Sequence, residues 1–569
     1  MSAIRQFARL PAPLIDYIVH KSHATIPSLP RIFSTSYQQK GSLSLETLDA
    51  SKGDRERIVI LGSGWAGYIL SQRLSAKYQT LVISPRSYFV FTPLLSSTAV
   101  GTLEFRTALE PIRSKRKPNI EFMQGCADNM DFGRKTVTVE ESVVDHQQGR
   151  AMRGDKNKES ETSGQVTSVK EARRREGKRW EISYDKLVIA VGCYSQTFST
   201  PGIRENAFFM KDIVDARRIR KRVLECFEIA NLPTTSEQLR KYLLTFAVVG
   251  GGPTGMEFAA ELSDLVREDL TKLYPELVPK VNIVVRDVAP TVLSMFDEKL
   301  SQYAMETFSR QGVEVKTSNH VQNLRPGLPS TDGSEELDIA GAQGCYTLTT
   351  KEDGDVGVGI CVWSTGNMMN PFVQKALGKT YGFPSESATI TSGKPFKELD
   401  ANEWMIEKHP KTGAITVDDR LRVQLHTKPQ PPSNSASDSN SSSPPSTPTS
   451  TAALSNVFAL GDNATIRSTP LPATAQTASQ QALWLAKRLN QNDLDREHFT
   501  FKNLGMMTYL GNWKGLVQTD GVMGDISGRM AWLIWRGAYL TMSVSWRNKI
   551  LIPVYWFLTW AFGRDVTRF

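Results

Sequence analysis

Two short glycine-rich segments carry the clearest chemistry in the sequence. Gly62-Ser63-Gly64-Trp65-Ala66-Gly67 follows the apolar run Arg57–Leu61, and Gly250-Gly251-Gly252-Pro253-Thr254-Gly255 follows Thr245–Val249. In a G-x-G-x-x-G turn the first glycine makes the bend, the second lets backbone approach a pyrophosphate, and the third lets the next helix pack closely. Unpaired N–H groups and the helix dipole then hold the negative charge. One such match is weak, because glycine-rich turns arise by chance in α/β chains. Two copies starting 188 residues apart, each between a strand-like run and a helical pattern, are strong. They imply two dinucleotides in one chain, as in an FAD enzyme that oxidises NAD(P)H.

The residues beyond each turn differ. Asp287 lies just past the apolar run Val281–Val285, where an acid accepts hydrogen bonds from ribose hydroxyls and repels a 2′-phosphate. That favours NADH over NADPH. Arg286 beside it pulls the other way, because a guanidinium accommodates a phosphate. The first copy has no acid: its strand ends Ile83-Ser84-Pro85-Arg86, leaving Ser84 for the ribose and Arg86 for the adenine or phosphate. Further on, Cys361–Ser364 runs into Thr365-Gly366, and Asn456–Leu460 runs into Gly461-Asp462. Both read as strands ending in ligand-facing turns.

These turns need strands and helices to position them. The pattern predicts a helix over Tyr68–Tyr78, a strand over Thr80–Ser84, a helix over Met256–Leu265 and a strand over Val281–Val285. Strands alternating with helices imply parallel, doubly wound sheets, hence an α/β chain with two Rossmann-like dinucleotide-binding domains. A length of 569 residues with 40% apolar and 22% charged residues supplies ample core for them. Five scattered cysteines, with no C-x-x-C or C-x4-C, exclude a cysteine-ligated zinc ribbon, an iron–sulfur run and a dithiol centre of sequence neighbours. No metal site is expected.

The net charge of +9 sits at the ends. Residues 1–33 carry Arg5, Arg9, Lys21 and Arg31 against Asp16, and residues 526–569 carry five basic residues in excess; the body is nearly neutral. A nucleic-acid binder would stripe its folded domain with cations, so no nucleic-acid partner is expected. The Arg/Ser/Ala-rich first 33 residues, without a continuous apolar stretch, read as a mitochondrial transit peptide. The C-terminal 40 residues hold five of the eleven tryptophans. Their longest uncharged apolar run, Ile550–Phe562, has 13 residues, about 20 Å as a helix, against a bilayer core of about 30 Å. Tryptophans mixed with Arg and Lys suit amphipathic helices lying in a membrane interface; burial in a homodimer interface is the other reading. Residues 141–179 (charged) and 427–451 (Ser/Pro-rich) read as inserted surface loops.

The chain resembles the type II, or alternative, NADH:ubiquinone oxidoreductases. The matching stretches are SPRSYFVFTPLLSSTAVGTLEFR (84–106), VVGGGPTGMEFAAELSDL (248–265), NVFALGDNA (456–464), PATAQTASQQALWLAKRL (472–489) and the closing FGRDVTRF. The resemblance implies FAD and NADH as cofactor and substrate, ubiquinone as acceptor, and a peripheral place on the mitochondrial inner membrane through residues 526–569. It implies an FAD-binding domain in two parts, 55–204 and 371–500, around an NADH-binding domain, 205–370, with a membrane-anchoring region at 501–569. FAD is expected at Gly62, Ser63, Gly64, Trp65, Ala66, Gly67, Ser84, Arg86, Thr92 and Asp462, the last on the ribityl chain. NADH is expected at Gly250, Gly252, Pro253, Thr254, Gly255, Asp287, Thr365 and Gly366. Gln476 and Gln480, i and i+4 on the helix expected to begin just after Asp462, lie in the family where quinone approaches the flavin. The resemblance also implies that Glu257 sits between nicotinamide and flavin; in an apolar cleft its carboxyl would titrate high and pass a proton towards quinone. Glu261, one turn later, reads as structural. Two other readings share parts of the pattern: a sulfide:quinone oxidoreductase using Cys193 and Cys361, and an NADH-binding flavoprotein like apoptosis-inducing factor.

Overall fold

The computed structural model describes residues 44–113, 119–142, 178–329, 344–375, 377, 382–384, 386–392, 403–427, 450–519 and 524–567. The transit-peptide reading of residues 1–33 and most of both inserts lie outside the described residues. The chain divides into two units, Met1–Gly53 and Asp54–Phe569. The first contains helix α1 (Leu45–Lys52), whose N-cap Ser44 accepts from the Thr47 N–H.

In the second unit, a mixed sheet with a parallel centre and an all-parallel sheet carry the site. The first contains β1 (Glu56–Leu61), β2 (Tyr78–Ser84), β3 (Ile120–Asp131) and β4 (Lys186–Ile189), with the late strand β10 (Thr451–Ala459) added beside β4. The order β10-β4-β1-β2-β3 is parallel throughout. The second sheet has the order β5 (Phe208–Phe209), β9 (Ile360–Trp363), β6 (Thr245–Val249), β7 (Asn282–Arg286), β8 (Val313–Lys316), again all parallel. The central strands β1, β2, β6 and β9 are buried almost end to end, as expected when helices cover both faces.

The helices that bear on the site are α2 (Trp65–Arg73), α3 (Ile213–Ala230), α4 (Pro253–Leu265) and α5 (Ala475–Gln491). Two expectations need correction. Helix α2 ends at Arg73, where Leu74 leaves helical geometry, and Tyr78 already opens β2. Helix α5 begins at Ala475, not just after Asp462, because a 3₁₀ turn (Gly461–Asn463) and a short strand (Ala464–Ile466) intervene. Its N-cap is Thr474, which accepts from the Thr477 N–H.

The C-terminal region forms its own module. An antiparallel sheet of β11 (Met506–Gly511), β12 (Lys514–Gln518) and β13 (Ile526–Gly528) precedes α6 (Arg529–Met542) and α7 (Trp546–Phe562). Helix α7 is 17 residues long and takes in Pro553. Arg536 sits 4.4 Å from the ring centres of both Trp532 and Trp556, joining the two helices. Arg564 then ties the chain end to the body through Glu268 and Asp269, each at 2.7 Å. Met530, Leu533, Trp546, Ile550, Phe557, Trp560 and Phe562 remain exposed on this module, Phe562 by 83%. Among the described residues no helix is long and apolar enough to cross a membrane.

Candidate active site

The two glycine turns are built alike. The Gly62 N–H donates to the Ile83 carbonyl at 2.8 Å, and the Gly250 N–H donates to the Arg286 carbonyl at 2.8 Å. Each turn is thereby bonded to the end of the neighbouring strand. The first glycines have φ +111° and +115°, which disfavour any side chain. A Cβ at Gly67 would fall 2.1 Å from the Gly62 carbonyl oxygen, and one at Gly255 would fall 2.0 Å from that of Gly250. Nothing lies within 4 Å of a Cβ built at Gly64 or Gly252, the positions where a pyrophosphate must approach backbone. The residues present therefore fit a dinucleotide at both turns.

Around the first turn the expected residues converge. Ser63 Oγ bonds Ser84 Oγ at 2.9 Å and donates to the Arg86 and Tyr88 carbonyls. Trp65 Nε1 donates to Thr92 Oγ1 at 3.0 Å, and the indole packs on Phe89 and Phe91. Asp462 lies past β10, at the same carboxyl end of the sheet as Gly62, because β10, β4 and β1 run parallel. Gly461 packs between Ala66 of α2 and Ala478 of α5, so Asp462 and the first turn share one crevice. Arg86 is not a loose phosphate ligand: its guanidinium is paired with buried Asp212, the N-cap of α3, at 2.6 Å.

Around the second turn, Asp287 accepts from the Gly251 and Ala289 N–H groups, which fixes its carboxylate at the lip of the turn. Arg286 points elsewhere. It is 3% exposed and committed to Asp353 and Asn319. Ser364, just before Thr365-Gly366, donates its hydroxyl to the Val249 carbonyl at 3.0 Å, drawing that turn against the glycine turn. Gly366 adopts φ +64°, with Gln196 and Phe198 closing over it.

Glu257, the fifth residue of α4 and two residues after Gly255, is buried, and its carboxylate faces the C-terminal module. It accepts from the Tyr509 N–H and from Trp535 Nε1, each at 3.2 Å. Burial pushes its carboxyl up to about 8. Gln476 and Gln480 do share a face of α5. Both amide atoms of Gln480 bond the Lys502 backbone, at 2.8 and 2.9 Å, and Gln476 Oε1 accepts from the Leu504 N–H. One stretch of chain, Lys502 to Tyr509, thus links the glutamine face to the Glu257 carboxylate. Sequence reasoning missed Asp212, Ser364, Tyr509 and Trp535. It also missed Gln481, whose side chain accepts from the Gly461 N–H at 2.7 Å. Ser364 and Gln481 sit inside stretches already singled out; Tyr509 and Trp535 are joined to Glu257 only by the tertiary fold.

The pair of cysteines that a sulfide oxidoreductase would need is not formed. Cys193 packs with Met369 and Ala414, whereas Cys361 lies in the core of the second sheet. Burial pushes both thiols up to about 12, so neither is a ready nucleophile.

Residues 56–383 match the pyridine nucleotide-disulphide oxidoreductase family, and residues 503–565 match the NDH2 C-terminal domain. A probable NADH dehydrogenase of Dictyostelium discoideum is 34% identical over 523 residues, covering 91% of this chain and 92% of the relative. The mitochondrial external alternative NAD(P)H-ubiquinone oxidoreductase B3 of Arabidopsis thaliana is 31% identical over 581 residues, 91% of each chain. Among solved structures, NDH2 of Plasmodium falciparum in complex with NADH shares the fold, with a TM-score of 0.65 at 21% identity, over 90% of this chain and 100% of that one. Family match, full-length relatives and doubled glycine cradle agree: the chain belongs to the alternative, type II NAD(P)H:ubiquinone oxidoreductases, built on the pyridine nucleotide-disulphide oxidoreductase fold.

Proposed function

We propose that this protein is a single-chain flavoenzyme that oxidises NADH and reduces ubiquinone without pumping protons, at the surface of the mitochondrial inner membrane. The observation that carries the reading is a buried carboxyl, Glu257, placed between a nucleotide cradle and a C-terminal module that exposes apolar side chains. The first cradle, with Ser84 and Asp462, takes FAD, which when bound supplies the two-electron chemistry between nicotinamide and quinone.

The second cradle takes NADH. Gly250, Gly252, Pro253, Thr254 and Gly255 hold its pyrophosphate, Asp287 its ribose, and Thr365 and Gly366 the neighbouring edge. Asp287 meets the ribose hydroxyls with an anion, and Arg286 is already committed to Asp353 and Asn319, so NADPH binds less well. Per turnover NADH delivers a hydride, two electrons with one proton, and ubiquinone takes these together with one further proton that comes from solution. Glu257 is protonated at neutral pH and donates from within the site. Gln476 and Gln480 hold the backbone of 502–504, which shapes the approach of quinone from the membrane side.

Helices α6 and α7 lie on the lipid surface, with Trp546, Ile550, Phe557 and Trp560 in the interface and neighbouring Arg and Lys towards the headgroups. Replacing Trp546 and Phe557 together by Asp lowers partitioning to anionic vesicles by about tenfold or more. Partitioning that stays intact, with dimers falling apart instead, would assign this face to a homodimer contact. The function itself is tested by steady-state kinetics with NADH, NADPH and a short-chain quinone, in solution and in sealed vesicles. Quinone-dependent NADH oxidation with no membrane potential is expected. Slow oxidation indifferent to quinone overturns the reading.

A further inference from the structure

Three carboxylates, Glu257, Glu261 and Asp264, recur at i, i+4 and i+7 on α4, which places them on one stripe of the helix. All three are buried, at 6%, 3% and 3% exposed. A helix stripe facing the interior is normally apolar, so three acids along it call for a reason.

The middle one accepts a hydroxyl on each oxygen. Ser97 Oγ donates to one oxygen of Glu261 and Thr102 Oγ1 to the other, both at 2.6 Å, a length that belongs to hydroxyl–carboxylate bonds. The Thr102 hydroxyl is itself bonded by Arg564 Nε at 2.9 Å. The Arg536 guanidinium, stacked between Trp532 and Trp556, and that of Arg564 act on Glu261 electrostatically. The outer two are held differently. Glu257 accepts from the Tyr509 N–H and Trp535 Nε1, and Asp264 from the Tyr509 hydroxyl at 2.6 Å and the Asn512 N–H at 3.0 Å. Neither is bonded by a cation among the described residues.

We infer that Glu261 is a positioning residue for proton delivery: its carboxylate, clamped by Ser97 and Thr102 one turn from Glu257 and one turn from Asp264, keeps a proton on each neighbour until the acceptor draws it off. This rests on the reading that quinone is reduced beside Glu257. In the step, the O–H bond of Glu257 breaks and its proton goes to a quinone oxygen as the two electrons that began on NADH arrive; the carboxylate then recovers a proton from solution. Burial is the largest cause that lifts Glu257 to about 8 and Asp264 to about 7, and repulsion from Glu261 adds to both. The other groups that face this stripe are Tyr509 from β11 and Tyr539 and Arg536 from α6, with Arg564 from the chain end and Glu268 beyond α4.

Glu261→Gln removes the charge and keeps the side chain's size and acceptor. Two readouts on the FAD-loaded protein test it: an infrared titration of the Glu257 carboxylic C=O band, identified by its loss in Glu257→Gln, and the pH profile of short-chain quinone reduction. Removing an adjacent anion lowers the pKa of Glu257, so the band titrates about one unit lower, or more, and the alkaline limb of the rate moves to lower pH with it. A band and limb that stay in place in a folded, flavin-bound variant overturn the inference. If Glu261→Gln does not fold, Glu261→Met removes the same charge at similar size and is expected to shift both readouts in the same direction; no shift there overturns the inference equally. A protein whose band shifts as expected but which never reduces quinone retains the electrostatic inference and refutes the quinone reading.

Discussion

The two glycine turns have nearly the same backbone and different surroundings. Their first glycines differ by 4° in φ, and their helices close with matching bonds, Tyr68 N–H to Gly64 O at 2.9 Å and Met256 N–H to Gly252 O at 3.0 Å. What surrounds them diverges. The first is stapled by a serine pair, roofed by Trp65, Phe89 and Phe91, and followed by α2, which contains no acid. That helix faces α5, and the Tyr78 hydroxyl donates to the Leu489 carbonyl at 2.6 Å, so distant parts of the chain close over it. The second presents Asp287 at its lip and is followed by α4 with its three buried carboxyls. On the proposed function, backbone alone supplies pyrophosphate binding in both places, whereas side chains divide the labour: one cradle retains the cofactor, the other binds the substrate and manages protons.

The sharpest way to break that division is to disable each turn separately. In Gly62→Ala the new Cβ falls 2.2 Å from the Ala190 carbonyl oxygen, and the expected product is a protein purified without flavin. Gly250→Ala, hindered in the same way by Ser364, retains its flavin but loses reduction by NADH by about a hundredfold or more. Flavin loss from both variants in equal measure would erase the distinction. Next in size is Glu257→Gln, which lowers quinone reduction by about a hundredfold while NADH oxidation by an artificial acceptor persists. In the parent enzyme quinone reduction declines as pH rises through about 8, where Glu257 loses its proton. The same shift has a stability consequence. The folded carboxyl binds its proton more tightly than the unfolded one does, so its contribution is full below the unfolded value near 4.5 and is lost as pH rises through about 8. Thermal melts of Glu257→Gln should therefore fall less on the alkaline side than those of the parent; parallel curves would contradict the assignment.

A smaller effect is expected at Asp287. Asp287→Ala raises the KM for NADH about ten- to a hundredfold and narrows the gap to NADPH, with flavin content unchanged. The smallest belongs to Arg286. Because its guanidinium is occupied by Asp353 and Asn319, Arg286→Met leaves the NADH-to-NADPH preference within about twofold. A large swing in preference would mean that the arginine reaches the nucleotide after all.

The parts of the fold legible in the sequence are those that local rules dictate. Positive φ and close backbone approach demand glycine, so both turns, their strands and the Thr365-Gly366 and Gly461-Asp462 strand ends are visible as spacing. Asp287 is visible because the acid must follow a strand. The length of α2 was not legible, since Tyr78 continues the apolar pattern while serving the next strand. The role of Arg286 depends on Asp353, 67 residues away, and that of Glu257 on Tyr509 and Trp535, more than 250 residues away. Glu261 reads as structural in sequence because its clamps, Ser97 and Thr102, are ordinary surface-type residues until the fold buries them.

The central claim, one retained flavin served by one exchangeable nicotinamide and one quinone, is tested most directly by anaerobic flavin absorbance. The protein should purify yellow with about one FAD per chain, bleach on adding one equivalent of NADH, and recover its colour on adding one equivalent of short-chain quinone. A colourless protein that FAD does not reconstitute, or a bound flavin that NADH leaves unbleached, would contradict it.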